Sequence, residues 1–397
     1  MRWANISTLI LALLTLLLGA PKMSEFNWYM EPWNPAVHPA NLPKFDNVKL
    51  TAVAACPTFG IMRYEHHKVY ASGKRAMALE AGLAAHEAFA AVRLGDLYFN
   101  GPEFYGADNI GDFIISNAAV KRANQLFGAE RCVSWMDQLK KGEDIERSIM
   151  LGALDIFETS GFYDDPDDKR RTIANIEETI IAYCTKYPIG KTMCVVAVDA
   201  LARPFIGVEI PIDMYLRVEA RGFIREYHFV GRCDGVMYSS PKRNKINVED
   251  DKTASRLNDA WHESWKINHQ PTGYCAAVST LLAADVRTGN IRGASIPLPK
   301  SYDYGGVVEV PFTRNDLQFE EWIEYVMHIM SIVENYGPRP LTAPRYTHSC
   351  NRYFRPCHYI PFCDSPVMER EAMYNEMDNE IWDPITGAHY EEEDHEA

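Results

Sequence analysis

Basic charge is scarce in this chain of 397 residues: 40 Lys and Arg stand against 54 Asp and Glu, a formal net charge of −14. That deficit argues against nucleic-acid binding through a broad basic surface. A local basic groove is still open to the chain, because the field in a cleft is set by nearby charges. Long hydrophobic runs are missing too. The apolar stretch Thr8–Ala20, "TLILALLTLLLGA", falls short of the roughly 20 residues that span a bilayer. It resembles the hydrophobic region of a signal peptide, yet only Arg2 precedes it, and cleavage after Ala20 would leave Pro21 next. Met23 then opens a plausible soluble start, "MSEFNWYMEPWNP". Residues 1–22 are read as a hydrophobic leader or an over-extended start. The remainder is read as a cytoplasmic protein with no stable membrane partner. The nine cysteines are odd in number and mostly scattered through apparent core segments, which speaks for reduced intracellular usage and against a disulfide framework. There is no internal repeat.

What is present is apolar mass. At 47% hydrophobic, the chain can bury a sizeable core in one large domain, or in one domain with an inserted lobe. Residues 23–50, rich in Pro, Trp and Asn, read as an irregular arm. Helical spacing and strong helix formers run from Ser72 to Phe99. Further helices are expected up to Gly128 and over about 170–187, within a helical insertion spanning about 100–190. From Cys194 to Val248 the chain turns β-rich: "CVVAVDA", "FIGVEIPIDMYLRV", "REYHFVGRCDGVMY" and "KINVEDDKT" are short and separated by turn residues. A helix is expected from about Asn268 to Val286, a hairpin around Tyr304-Gly305-Gly306, and a capped amphipathic helix closed by Gly337. The acidic tail 366–397 is expected to be disordered. Helices, then strands, then helices indicate an α/β core around one sheet, filling residues 51–365.

Several residues in this frame have the chemistry of a site. Pairing "HFVGRCDGVMY" with "KINVEDDKTA" brings Asp234 near Asp250, and Lys252 shares a strand face with Asp250. Carboxylates converging with a lysine suit Mg²⁺, which prefers oxygen ligands and keeps waters for a phosphate. The lysine would orient water or offset transition-state charge. Each feature also has an ordinary reading. An acid-x-Lys is a surface ion pair, and Glu209 in "FIGVEIPI" is an exposed strand edge. Gln270 and Tyr274, four apart on one helical face, are a cap and a core tyrosine. His86 in "EAGLAAHEAF" is a structural histidine.

Taken in order, Gly82–His86, Glu209, Gly231–Asp234, Asp250–Lys252–Thr253 and Gln270–Tyr274 resemble the motif series of the PD-(D/E)XK nucleases of the RecB-like group, over most of residues 50–365. The resemblance implies a restriction-endonuclease-like fold, with a central mixed sheet flanked by helices. It implies a Mg²⁺ or Mn²⁺ ion held by His86, Asp234 and Asp250 with Glu209 in support, and Lys252 placing the attacking water. Gln270 and Tyr274 would contact the phosphate or orient the site. Of the three consecutive acids Glu249, Asp250 and Asp251, spacing to Lys252 favours Asp250.

Near the C-terminus, Cys350, Cys357 and Cys363 stand in "HSCNRYFRPCHYIPFC", and Cys56 lies far upstream in "AACPTFGIMRY". By residue type alone these suit zinc, with His348 or His358 in reserve, or an iron–sulfur cluster. A subset of RecB-like nucleases, including AddB and those that accompany CRISPR adaptation, has one cysteine before the nuclease motifs and three after them. That likeness implies a [4Fe-4S] cluster on Cys56, Cys350, Cys357 and Cys363, stapling the N- and C-terminal parts. Cys132, Cys184, Cys194, Cys233 and Cys275 are read as buried small hydrophobes. The expected activity is a metal-dependent deoxyribonuclease, an exonuclease or single-strand nuclease. Its partners would be DNA, as single strands or duplex ends, and a recombination or helicase protein. Lys242, Arg243, Lys245 and Arg256 are candidates for guiding the DNA backbone, or a solvated hairpin tip. The alternative is a catalytically silent iron–sulfur subunit that binds nucleic acid in a recombination or repair complex, which the complete acidic set argues against.

Overall fold

The β-rich middle of the chain becomes the spine of a mixed sheet. The computed structural model describes residues 26–70, 77–106, 109–110, 113–220, 222–296, 306–352, 355–385 and 389–391. The leader at 1–22 and the turn residues Tyr304 and Gly305 lie outside these. The N-terminal part holds β1 (Phe26–Pro32), β2 (Lys44–Phe45), α1 (Asn47–Ala55), α2 (Pro57–Tyr64) and β3 (Lys68–Val69). The long helix α3 (Met77–Tyr105) follows, then β4 (Asn109–Ile110) and β5 (Phe113–Ile114). Next come α4 (Ile115–Phe127), α5 (Ala129–Leu139), α6 (Ile145–Glu158) and α7 (Ile173–Lys186). Strands β6 (Met193–Cys194), β7 (Val196–Val198), β8 (Pro204–Ile206), β9 (Val208–Ala220), β10 (Phe223–Tyr238) and β11 (Ile246–Ala254) form the middle. Helices α8 (Asp259–Lys266) and α9 (His269–Leu282) lead to β12 (Thr288–Ser295), β13 (Val307–Thr313) and α10 (Asp316–Tyr336). The C-terminal part contains β14 (Asn351–Arg352), β15 (Arg355–Pro356), α11 (Ile360–Asp364), α12 (Val367–Glu376), β16 (Asp378–Trp382) and β17 (His389–Glu391).

The main sheet runs β1-β9-β10-β11-β12-β13, with β2 and β6 also paired to β10. Its neighbours are antiparallel except β11 with β12 and β10 with β2. The crossover α8–α9 makes the parallel β11–β12 pair possible, since parallel strands need a long connection. Alternation along β10 sends neighbouring residues to opposite faces. Met237 joins the core of α3 to α7, with Phe89, Trp135, Ile149 and Tyr183. Val236 joins the core under α9 and α10, with Tyr274, Val278 and Trp322. Cys132, Cys184 and Cys194 fill the first core and Cys233 and Cys275 the second, as small hydrophobes should. The insertion expected over 100–190 is the helical lobe α4–α7, packed around α3.

Two expected boundaries are corrected. The arm at 23–50 is not wholly irregular: β1 pairs with β9 from Phe26↔Ala220 to Pro32↔Met214. Its prolines and tryptophans mask a strand that exists only because a sheet edge is there to receive it. The acidic tail is not wholly disordered either. Strand β16 pairs with β3, Arg63 Nη2 lies 2.5 Å from Glu380, and Trp382 Nε1 donates to Asp46 at 3.1 Å. Met377 is buried with Met62, Tyr359 and Phe362 in a small separate core. These apolar anchors and the ion pair order the described part of an acidic segment. Among the described residues no helix is long and apolar enough to cross a membrane.

Candidate active site

The site forms where β10 changes partners. Its first part pairs with β9 as far as Cys233↔Ile210, and its last part pairs with β11 from Gly235↔Glu249 onward. Asp234 sits at that handover, and its Oδ2 accepts from Asp251 N at 2.6 Å. The side chain therefore substitutes for a ladder partner at the point where the strands diverge. A Cβ at Gly235 would lie 3.0 Å from Arg93 Nε, so glycine lets α3 approach the strand.

Three elements deliver candidate ligands to this point. His86 comes from α3, Glu209 from the start of β9 and Asp234 from β10; one ligand atom of each lies within 4.8 Å of the others. His86 Nδ1 is 3.5 Å from Asp234 Oδ1. Glu209 has φ of +51°, a left-handed conformation costing about 1–2 kcal/mol outside glycine. Its backbone is held there by Arg122, whose Nε donates to Val208 O at 3.1 Å and Nη2 to Glu209 O at 2.5 Å. Arg232 Nε pairs with Glu209 Oε2 at 2.7 Å, while Glu209 Oε1 is buried without a hydrogen-bond partner. On β11, Lys252 Nζ lies 2.9 and 2.7 Å from the two oxygens of Asp250, and about one ring-width from Trp265, at 5.5 Å from its centroid.

The set inferred from sequence, His86, Asp234 and Asp250, differs from this compact group by one member. Glu209 joins His86 and Asp234, and Asp250 engages Lys252 instead. The three consecutive acids separate cleanly by face. Glu249 and Asp251 turn toward α3, where Arg93 Nη1 meets Asp251 at 2.6 Å and Arg93 Nη2 lies 3.5 Å from Glu249. Arg292 completes that network, 3.6 Å from Glu249 and 2.7 Å from Glu309, and Tyr183 OH donates to Asp251 at 3.1 Å. Arg93 follows His86 by seven residues, two turns along α3, so a shared helical face was the available signal for it. Arg122, Arg232 and Arg292 have no comparable signal in the sequence.

The electrostatics follow from crowding. Burial pushes the Glu209 carboxyl up to about 7, with the charge of Asp234 adding and Arg232 opposing. Burial likewise pushes Asp250 up to about 7 against the pull of Lys252. Asp234 goes the other way: burial would raise it, but His86, Lys252 and Arg93 hold it well below the usual range. Burial disfavours the charged forms of His86 and Lys252, yet the surrounding carboxylates win and raise both. Lys252 is therefore an ammonium. Buried carboxylates costly to ionise, one imidazole and an unshared Oε1 are a donor set suited to a hard divalent cation.

Gln270 and Tyr274 share one face of α9 as their spacing requires, and Gln270 Nε2 donates to Tyr274 OH at 2.9 Å. Burial and the nearby Asp250 and Asp234 raise the Tyr274 phenol well above its ordinary value, so it stays protonated. A Cβ at Gly82 would lie 3.4 Å from Thr253 Oγ1, which places the first motif against the fourth. The basic tip Lys242, Arg243 and Lys245 lies at the other end of the β10–β11 hairpin, beyond Tyr238↔Ile246.

The four cysteines share one neighbourhood, between α1–α2 and the C-terminal segment. Cys56 joins α1 to α2, and Ser349 Oγ donates to Ala55 O at 2.6 Å, bringing the C-terminal segment beside it. Cys357 N donates to Cys350 O at 2.8 Å and Cys363 N to Tyr359 O at 2.8 Å. Burial raises the Cys357 and Cys363 thiols, and both feel the charges of Cys56 and Cys350. All four are free of disulfides. No known protein-family model matches the chain, and no curated protein is significantly similar to it.

Proposed function

We propose that the chain is a Mg²⁺- or Mn²⁺-dependent deoxyribonuclease acting on DNA ends or single strands. One observation carries the reading: His86, Glu209 and Asp234 converge from three elements within 4.8 Å, beside the Asp250–Lys252 pair. When bound, a divalent cation polarises the scissile phosphate and lowers the pKa of a coordinated water. Lys252, a cation at a half-buried position, orients the attacking water and offsets charge that develops on the phosphate. Tyr274, aligned by Gln270, donates its phenolic proton in a hydrogen bond to the phosphate. Arg232 holds Glu209 in the direction of the site.

The second element of the proposal is a [4Fe-4S] cluster on Cys56, Cys350, Cys357 and Cys363. Cys357 and Cys363 each feel the charges of Cys56 and Cys350, so the four thiols share one neighbourhood, and an all-cysteine set of four is the ligand set of such a cluster. Such a staple ties α1 and α2 to the C-terminal segment, and its binding is coupled to folding.

The test is cleavage of end-labelled linear and closed circular DNA by the purified holoprotein in Mg²⁺ or Mn²⁺. Linear DNA is expected to be degraded, with activity abolished in Asp250→Ala and Lys252→Ala. Full activity in both variants refutes the site.

A further inference from the structure

The loop leading into α7 presents a second cluster of charge. Asp168 Oδ1 accepts from Arg170 N and Arg171 N, each at 3.0 Å, and its Oδ2 pairs with Arg171 Nη1 at 2.6 Å. Asn175 Nδ2 donates to Arg170 O at 2.7 Å. Asp164 accepts from Ile173 N at 2.6 Å and Asp165 from Asp167 N at 2.9 Å. These acids are thus engaged with the loop's own backbone and with Arg171, and the backbone at Arg170 is fixed on both sides. Arg170 Nη1 then reaches across to Ser255 O at 3.1 Å, at the end of β11. Burial, Arg171 and Arg256 disfavour its charge, and the Asp168 carboxylate offsets them only in part. Among the described residues neither Arg170 nor Arg256 has a carboxylate within ion-pairing distance.

Arg170 reaches the residue next to Arg256, and two guanidiniums in that neighbourhood, neither with a carboxylate within ion-pairing distance among the described residues, are matched by an anion that accepts from both. Guanidinium geometry suits phosphate. Arg256 is four residues past Lys252, within about 13 Å along an extended strand. We propose that Arg170 and Arg256 form a phosphate clamp for the DNA strand flanking the scissile bond, so that the helical lobe takes part in binding. This rests on the nuclease reading and names its backbone contacts. It moves that role from the Lys242–Lys245 tip, where Arg243 lies over the Tyr105 ring instead, at 5.5 Å.

The experiment is fluorescence anisotropy of a labelled oligo-dT strand with the full-length holoprotein in calcium buffer, titrated over a range of salt. Each phosphate contact on a single strand contributes roughly 0.7 to the slope of log K against log salt. Arg170→Gln with Arg256→Gln is expected to reduce the slope by about 1.4, and Arg256→Gln alone by about 0.7, since the rule is per contact. Arg256 is exposed, so its single variant does not depend on the fold of the loop. Lys242→Gln with Lys245→Gln is expected to leave the slope unchanged, and the double lysine variant Arg170→Lys with Arg256→Lys to retain it. An unchanged slope in the glutamine variants, an equal drop from the tip variants, or no binding by the wild type overturns the clamp. Binding with the expected slopes but no cleavage in either Mg²⁺ or Mn²⁺ leaves the clamp standing and overturns the nuclease reading. Cleavage with unchanged slopes does the reverse.

Discussion

Exchanging either of two adjacent acids, Asp250 and Asp251, for asparagine is expected to have opposite consequences. Asp251 lies 2.6 Å from Arg93, with side-chain exposures of 1% and 0%. Its loss leaves a buried guanidinium with only Glu249, at 3.5 Å. Removing one partner of a buried pair costs about 3–5 kcal/mol. Asp250 is equally buried, but burial pushes its folded-state pKa up from 3.8 to about 7. The folded protein therefore holds this proton more tightly than the unfolded chain does. At pH 8 the charged form opposes folding, by up to about 4 kcal/mol at 1.36 kcal/mol per unit. Asparagine escapes that cost. It gives up the ion pair to Lys252, whose side chain is 24% exposed and can be hydrated. Urea unfolding at pH 8 without divalent cation should find Asp251→Asn less stable than wild type by about 3–5 kcal/mol. Asp250→Asn should match or exceed the wild type, an advantage that shrinks as pH falls from about 7 toward 4. In the cleavage assay, folded Asp250→Asn should be inactive. If Asp250→Asn is instead the more destabilised of the two, the division of these acids into site and scaffold is wrong.

Asp96, fully buried in α3, accepts from Asn100 at 2.8 Å and Gly190 N at 2.9 Å, but burial still pushes it up to about 6. Its ionised form opposes folding above that pH by about 3 kcal/mol, so wild-type stability should fall as pH rises from about 4 to 6 on this account. Thermal unfolding of Asp96→Asn should match wild type at pH 4 and exceed it at pH 8; parallel profiles would contradict the assignment. Anaerobically purified wild type should be brown with about four irons per chain, and Cys350→Ser should lose iron and thermal stability. A colourless wild type with one zinc per chain would reject the cluster.

Much of the helical framework was legible because it is local. The Ala-rich α3, the Asn315 capping box of α10 and the Gly128 stop of α4 are signals contained within a few residues. So is the shared face of Gln270 and Tyr274, and the alternation that puts Lys252 beside Asp250. The edge strand β1 was not legible, because its pairing partner lies nearly 200 residues away. Nor was the ordered tail, whose strand β16 forms against β3.

The residue types, order and spacing of the candidate site were set by the sequence: a helical histidine, strand acids, a strand lysine and a Gln-x-x-x-Tyr face. Only the tertiary structure decided which acids meet. It drew Glu209 in beside His86 and Asp234 through a left-handed backbone turn, and spent Glu249 and Asp251 on Arg93. It also brought Arg170 of the helical lobe to Ser255, next to Arg256. Side-chain period is a property of each element, whereas a buried charge takes its role from whichever element the sheet's register sets opposite it.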